Sequence, residues 1–363
     1  MIKYINILLF SVLLSQGINP SLTILATANV SSETDPCGWK KKPRGGLARK
    51  AYLIDNIAAK VDNVLVVDAG NLYFKKDNVD QGVASEVALN TAYIIVDAFN
   101  VIGCDAFSPG SQDFAMGLST LKELEDRSNF DYVSANIYDR SGSRLFSPYK
   151  IISKGDLKVA FIGLSSNFES LEVKVNNPID ELKNIIYQVK EESDFIVLLF
   201  NSTEIDISML HKANLPVDLV VRSNSRKKSK DGGSKVLPIY SVGDKGKQVY
   251  RFDVYNSNNQ DTYVDKTVHL NRIRNVNSRL DRMKKDDPGV DLIQKYADDR
   301  STLNKIKNYK SQLEESNYIL NNLTNYIVTG HTDLGKRIDS RADILQIIDA
   351  GKARVQTLPM PEK

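Results

Sequence analysis

Short apolar runs alternate with helical stretches over most of this chain. Residues 23–28 (TILATA), 63–70 (NVLVVDAG), 104–110 (CDAFSPG), 131–137 (DYVSANI), 158–166 (KVAFIGLSS), 194–200 (DFIVLLF), 217–221 (VDLVV) and 236–243 (VLPIYSVG) each have the length and apolar content of a buried strand. Between them, segments 46–59, 83–101, 118–127, 178–192 and 205–213 read as helices. Such alternation predicts a layered α/β (α+β) domain with helices on the sheet faces. Two further alternating runs, 250–256 and 262–270, bracket the polar turn 257–261 and predict a hairpin.

Beyond residue 274 the pattern changes to long polar helix. The break at 286–289 (DDPG) lets Pro288 open a new helix reaching about Asn322. Leu303, Ile306, Leu313 and Leu320 keep three-and-four spacing, but Lys310 and Asn317 interrupt the seam, which favours a helical hairpin packed on the domain over a free coiled coil. One more helix is expected at 340–353, followed by a loose LPMPEK tail. The expected division is a segment at 1–20, a domain at 21–274 and a helical extension at 275–363.

The first segment, MIKYINILLFSVLLSQ, has an early lysine, Lys3, then an apolar run and then turn-forming residues. That is the pattern of a secretory signal peptide, too short for a membrane span of roughly 20 residues. The mature chain is expected to begin near residues 18–21 and to reach the periplasm or the cell exterior. No further transmembrane segment is expected. Composition changes this picture little. With 48 basic and 45 acidic side chains the net charge is only +3, so no global field favours nucleic acid, and the basic run 226–230 (RKKSK) reads as a solvated loop. Export permits a disulfide between Cys37 and Cys104, and the sequence leaves that pairing open. No CxxCH haem site or paired CxxC zinc site exists.

Strand ends are where an α/β sheet collects its chemistry, because the loops there converge on one edge. Read in order, those ends are LATANVSS, VVDAGNLYF, SPGSQDFAMG, LLFNST and VVRSNSR, with GGLARKAYLI (45–54), VSANI (133–137) and VAFIGL (159–164) between them. Over roughly residues 22–256 this framework resembles the metallophosphoesterase (calcineurin-like) superfamily, specifically its exported 5'-nucleotidase branch. The resemblance implies a metallophosphoesterase-like sheet sandwich with flanking helices. It also implies two divalent metals about 3.5 to 4 Å apart, whose bridging hydroxide attacks phosphorus in line.

Carried over position by position, the implied metal ligands fall on Asn29, Ser31, Asn71, Ser111, Asn201, Asn224 and Arg226. The implied catalytic histidine falls on Gln112, and the acid that orients it on Ala115. Every one of these positions lacks the family's charge or imidazole, and one carries a guanidinium. Neutral amides and hydroxyls bind Zn²⁺ or Mn²⁺ weakly and cannot balance about four positive charges. No cofactor, no metal and no catalytic residue are therefore expected. His211, His269 and His331 lie outside all these positions and are expected to be surface histidines.

Residues 35–51 (DPCGWKKKPRGGLARKA) are similar to bacterial members with a Cys-Gly-Cys element before Gly-Gly-Leu-Ala-Arg, which are often associated with multihaem c-type cytochromes. Trp39 replaces the second cysteine, leaving Cys37 as a thiol of interest. Residues 275–363 are expected to be helical and not to supply the family's nucleoside-stacking domain. The leading expectation is an exported pseudoenzyme that binds or assembles with other exported proteins, cytochromes among them. The opposing expectations are an active phosphoester hydrolase with a rearranged metal site drawing on Asp35, Asp68 and Asp113, and a non-catalytic anion or nucleotide binder built on Arg226 with the polar strand ends at Asn29, Asn71, Ser111, Asn201 and Asn224; Asp68, Asp113 and Arg226 together mark a possible residual cleft.

Overall fold

The computed structural model describes residues 19–38, 41–229, 237–258, 261–285 and 287–357. The expected signal peptide, apart from its last two positions, and the LPMPEK tail lie outside them. In chain order the first half runs β1 (Leu22–Thr27), α1 (Leu47–Ala58), β2 (Val64–Asp68), α2 (Val83–Ile102), β3 (Ala106–Phe107), a 3₁₀ turn (Ser111–Phe114), α3 (Leu118–Arg127), β4 (Asp131–Tyr132) and β5 (Ile137–Asp139). Next come β6 (Tyr149–Lys154), β7 (Leu157–Ser165), β8 (Val173–Val175), α4 (Pro178–Glu192), β9 (Phe195–Asn201), α5 (Glu204–Ala213), β10 (Leu219–Ser223), β11 (Ile239–Ser241) and β12 (Gln248–Tyr255). The chain continues with β13 (Tyr263–Asp265), α6 (Lys266–Lys284), α7 (Leu292–Lys295), α8 (Arg300–Asn321), β14 (Asn325–Asp333) and α9 (Ala342–Gln356).

Among the described residues, one seven-stranded sheet has the order β13-β14-β12-β1-β2-β3-β4 and a five-stranded sheet the order β11-β10-β9-β7-β6. The central strands are apolar on both faces, which explains why they read as continuous runs rather than alternating ones. In β9, Phe195, Val197 and Leu199 face the other sheet, while Ile196, Leu198 and Phe200 face α4 and α5. In β1, Leu22, Ile24 and Ala26 join that same inter-sheet core and Leu25 points to the opposite side, toward α1 and α2. The result is two sheets face to face with helices outside each. Each fully buried large apolar side chain contributes roughly 1.5 to 3 kcal/mol relative to exposure.

Helix boundaries follow local chemistry. Asn177 caps α4, its side-chain oxygen accepting from Ile179 N at 2.9 Å and Asp180 N at 3.2 Å, and Pro178 occupies the first turn where its missing N–H costs nothing.

The C-terminal third differs from expectation in two ways. The runs 250–256 and 262–270 do not form a hairpin: β14 inserts between β12 and β13, antiparallel to the first and parallel to the second, and residues after Asp265 turn helical. Asp265 drives that change, since its carboxylate caps α6 by accepting from Thr267 N at 3.0 Å. Nor is 275–363 a separate helical extension. α6 and α8 do pack on each other around Val276, Leu280 and Ile306, but β14 belongs to the large sheet and α9 lies on α2. Leu334 is fully buried, and its carbonyl accepts from Gly45 N at 2.9 Å.

Close approach of α9 to α2 depends on Gly351, where an added Cβ would stand 2.1 Å from Ile94 Cγ1. In an exposed helix Gly→Ala stabilises by up to about 1 kcal/mol. Here overpacking reverses the sign: Gly351→Ala is expected to cost about 1 to 3 kcal/mol in urea denaturation, and a gain in stability would contradict this packing.

Candidate functional site

The strands β1, β2 and β3 run parallel in one sheet, and β9 and β10 run parallel in the other. Their C-terminal ends therefore deliver Asn29, Asn71, the turn at 108–114, Asn201 and Ser223–Asn224 to one edge of the sandwich. Backbone bonds tie the first two loops together: Asn29 N donates to Gly70 O at 2.8 Å, and Ser31 N to Asn71 O at 2.9 Å. Asn29, Ser31, Asn71 and Asn224 all adopt left-handed backbone, with φ of 50°, 50°, 56° and 57°. Asparagine tolerates that region better than most residues, so the loop shape survives with an amide in place of an acid. Gly70 is obligatory, because a Cβ there would meet Ser108 O at 2.4 Å.

The amides at this edge satisfy one another. Asn71 Nδ2 donates to Asn29 Oδ1 at 3.3 Å, and its Oδ1 accepts from Gln112 N at 3.3 Å. Asn29 Oδ1 takes a second donor, Asn224 N, at 3.0 Å, while its Nδ2 donates to Gly243 O at 2.7 Å. Asn201 Nδ2 donates to Ser223 Oγ at 2.9 Å, which passes its own proton to Ala69 O at 2.6 Å. Asn71 and Asn201 close on Gly110 from both sides; a Cβ there would lie 2.4 Å from Asn71 Oδ1 and from Asn201 Nδ2. Nearby, Ser31 Oγ donates to Gln112 Oε1 at 3.4 Å and Ser111 Oγ to Asp77 at 2.7 Å. Asn29, Asn71 and Asn201 are buried, whereas Asn224 and Arg226 are exposed. Ala115 ends the 3₁₀ turn, and its methyl group has no polar atom with which to orient a neighbour.

Asp113 holds the arrangement. Its Oδ2 accepts from Asn71 N and Gly110 N and its Oδ1 from Leu72 N and Tyr73 N, all at 2.8 to 2.9 Å. Burial pushes this carboxyl up to about 7, against the pull of those N–H groups. Asp68 is equally buried and faces away from the edge: it accepts from Thr27 Oγ1 at 2.7 Å and from Gly70 N at 3.0 Å. Neither acid opens onto a cleft, which corrects the expectation of a residual pocket at Asp68, Asp113 and Arg226.

The sequence reading missed Lys50. It is buried on α1, where its Nζ donates to Thr27 Oγ1 at 2.8 Å and sits 3.7 Å from the Phe99 ring centre. Thr27 Oγ1 passes its own proton to Asp68, so Lys50, Thr27 and Asp68 form a buried hydrogen-bonded relay beneath the edge, and burial lowers the Lys50 pKa and raises that of Asp68. The signal was present: Leu47, Lys50, Ala51 and Ile54 share one helix face, and a lysine on an apolar stripe needs a partner inside.

Other candidates are dispersed. His269 is buried, contrary to expectation, with Nδ1 at 3.4 Å from Ser316 Oγ of α8. His331 stacks on Tyr250, and His211 lies exposed on α5. Cys37 and Cys104 are both free thiols; burial pushes each above its ordinary range, which favours the unreactive protonated form. Among the described residues, no group of three or more His, Cys, Asp or Glu side chains is placed to hold a metal ion, and no helix is long and apolar enough to cross a membrane.

Two facing sheets with helices outside, and loops gathered at one edge, define the calcineurin-like phosphoesterase fold. The chain is 20% identical to the calcineurin-like phosphoesterase YfkN of Bacillus subtilis, with a TM-score of 0.51 over 64% of this chain and 84% of that one. It is 30% identical over 189 residues to protein UshA of Escherichia coli (strain K12), which is 48% of this chain and 33% of that protein. Identity to a 5'-nucleotidase of Vibrio cholerae is 32% over 167 residues, 42% of this chain and 29% of the relative. No family model matches. The chain thus spans about a third of the length of these curated relatives. Over the matched residues the chain is similar to proteins of the 5'-nucleotidase branch of the metallophosphoesterase superfamily.

Two outcomes follow from this geometry. Asn71→Asp would bury a carboxylate 3.3 Å from the Asn29 amide oxygen and remove a donor. It is expected to cost roughly 2 kcal/mol by chemical denaturation, unrelieved by millimolar Mn²⁺; full recovery with Mn²⁺ would mean the edge still accepts a cation.

The second concerns pH. Because the folded pKa of Asp113, about 7, exceeds its unfolded value, its favourable contribution is complete below about pH 4 and is lost as pH rises through 7. Asp218, raised to about 6, and Asp68, Asp105 and Asp265, raised by burial, act in the same sense, while His331, lowered by burial, opposes them. The fold should resist urea better at pH 5.5 than at pH 8; the reverse order would contradict these assignments.

Proposed function

We propose that this chain is an exported member of the 5'-nucleotidase branch that no longer carries out metal-dependent hydrolysis and acts by binding or assembly with other exported proteins. The observation that carries this reading is that the amide oxygens of Asn29 and Asn71 are engaged by N–H donors of the protein itself. A divalent ion needs free oxygen lone pairs and compensating negative charge. Asn29 Oδ1 already accepts two N–H donors, and Asn71 Oδ1 accepts a third. The remaining family positions offer Ser31, Ser111, Asn201, Asn224 and Arg226, none of them an anion or an imidazole. This donor set does not fit a pair of divalent cations, and no hydrolytic step is assigned to it.

The general acid or base fares no better. Gln112 stands at the implied histidine position, and an amide neither takes nor gives a proton near neutral pH. A fold can outlive its chemistry because the core between the sheets does not depend on the edge residues. Export rests on the N-terminal pattern of one lysine, an apolar run and small or polar residues.

The test is metal content by mass spectrometry after incubation with Mn²⁺ and Zn²⁺, with a phosphatase assay on nucleoside monophosphates and an aryl phosphate. Background metal and no turnover are expected. About two metals per chain with turnover would overturn the reading.

A further inference from the structure

The same edge of the sandwich carries a groove of about 800 Å³, beginning at Ser111 and walled by Phe114 and Phe168, whose ring centres are 5.2 Å apart. Leu171, also in its lining, is 94% exposed. The loop that presents Phe168 and Leu171 is braced rather than loose. Arg140 Nε donates to Leu171 O at 2.8 Å and its other nitrogen to Ser170 O; Ser170 Oγ accepts from Glu172 N at 3.2 Å and Val173 N at 3.3 Å. The Glu172 carboxylate is anchored in turn by Leu118 N at 2.8 Å. A large apolar side chain is thus held out in water by a preformed loop, beside an aromatic wall. A second one, Ile205, 72% exposed, opens α5 at the end of β9, the strand paired with β7 that feeds this loop.

Charge selects the occupant. Every charged side chain lining the groove is a carboxylate: Asp77, Glu169 and Glu172. Arg140 is committed to the loop carbonyls. An apolar wall with a rim of one sign matches a ligand with an apolar anchor and the opposite charge around it. We propose that this groove docks an extended segment of a partner protein bearing one or two large apolar side chains flanked by lysine or arginine. The inference rests on the binding reading above and names the chemistry of its partner.

The test uses fluorescence anisotropy on the mature protein with three labelled hexapeptides, KKLFKG, EELFEG and KKGGKG. KKLFKG should bind at least tenfold more tightly than either control, and its affinity should fall as salt screens the rim. Leu171→Ser and Glu169→Lys alter exposed side chains, so both should fold normally, and each should weaken KKLFKG binding by fivefold or more. Equal binding of all three peptides, no binding of KKLFKG, or variants indistinguishable from wild type would overturn the groove. Peptide binding combined with phosphatase turnover would keep the groove and sink the binding-only reading; inactive, metal-free protein that ignores KKLFKG would sink the groove alone.

Discussion

The Asp113 carboxylate is the contact on which the edge of this molecule depends. One buried side chain takes the N–H groups of Asn71, Leu72 and Tyr73 from the loop after β2 and that of Gly110 from the loop after β3. Those loops would otherwise carry buried donors without partners, at about 1 to 3 kcal/mol each. By clamping them, Asp113 sets the position of Asn71, brings Gln112 N within reach of its amide and leaves room for Gly110 alone between Asn71 and Asn201. Phosphoesterase-type loops persist here because the clamp is a backbone device and is indifferent to what the neighbouring side chains can ligate.

Beneath the clamp, charge has been internalised rather than displayed. Lys50 and Asp68 face each other through Thr27, with Phe99 under the ammonium, and the edge itself is left with amides and hydroxyls. A buried pair of this sort is costly to break from either side, since removal of one partner strands the other charge. The groove beside the braced loop that carries Leu171 is instead apolar and acidic.

Much of the fold was legible in the sequence. β9 and β7 read as strands because apolar residues cover both faces, and the α3 and α4 patterns match their observed spans. The hairpin misled because alternation in β12 and β13 reports which face of a strand is buried and says nothing about its neighbour. β14, arriving only after α8, takes the place between them. The same insertion explains why 275–363 belongs to the domain: a polar helical pattern concealed one strand, Asn325–Asp333, while the helix expected at 340–353 is present as α9 and packs on α2 where Gly351 permits close approach. Strand β6 went unread because Lys150, Ser153 and Lys154 dilute the apolar pattern. At the edge, the residues brought together by strand ends were all identifiable, but their mutual hydrogen bonding was not. Lys50 lies within GGLARKAYLI, a segment that enters the sequence reading only as framework.

The account stands on the claim that Asn29, Asn71 and Asn201 bond to the protein in place of a cation. The most direct measurement is a crystal soaked in MnCl₂ with diffraction recorded at the manganese absorption edge. No anomalous peak within coordinating distance of those three amides is the predicted result, with their hydrogen bonds unchanged. Two peaks about 3.5 to 4 Å apart at the same edge would contradict it.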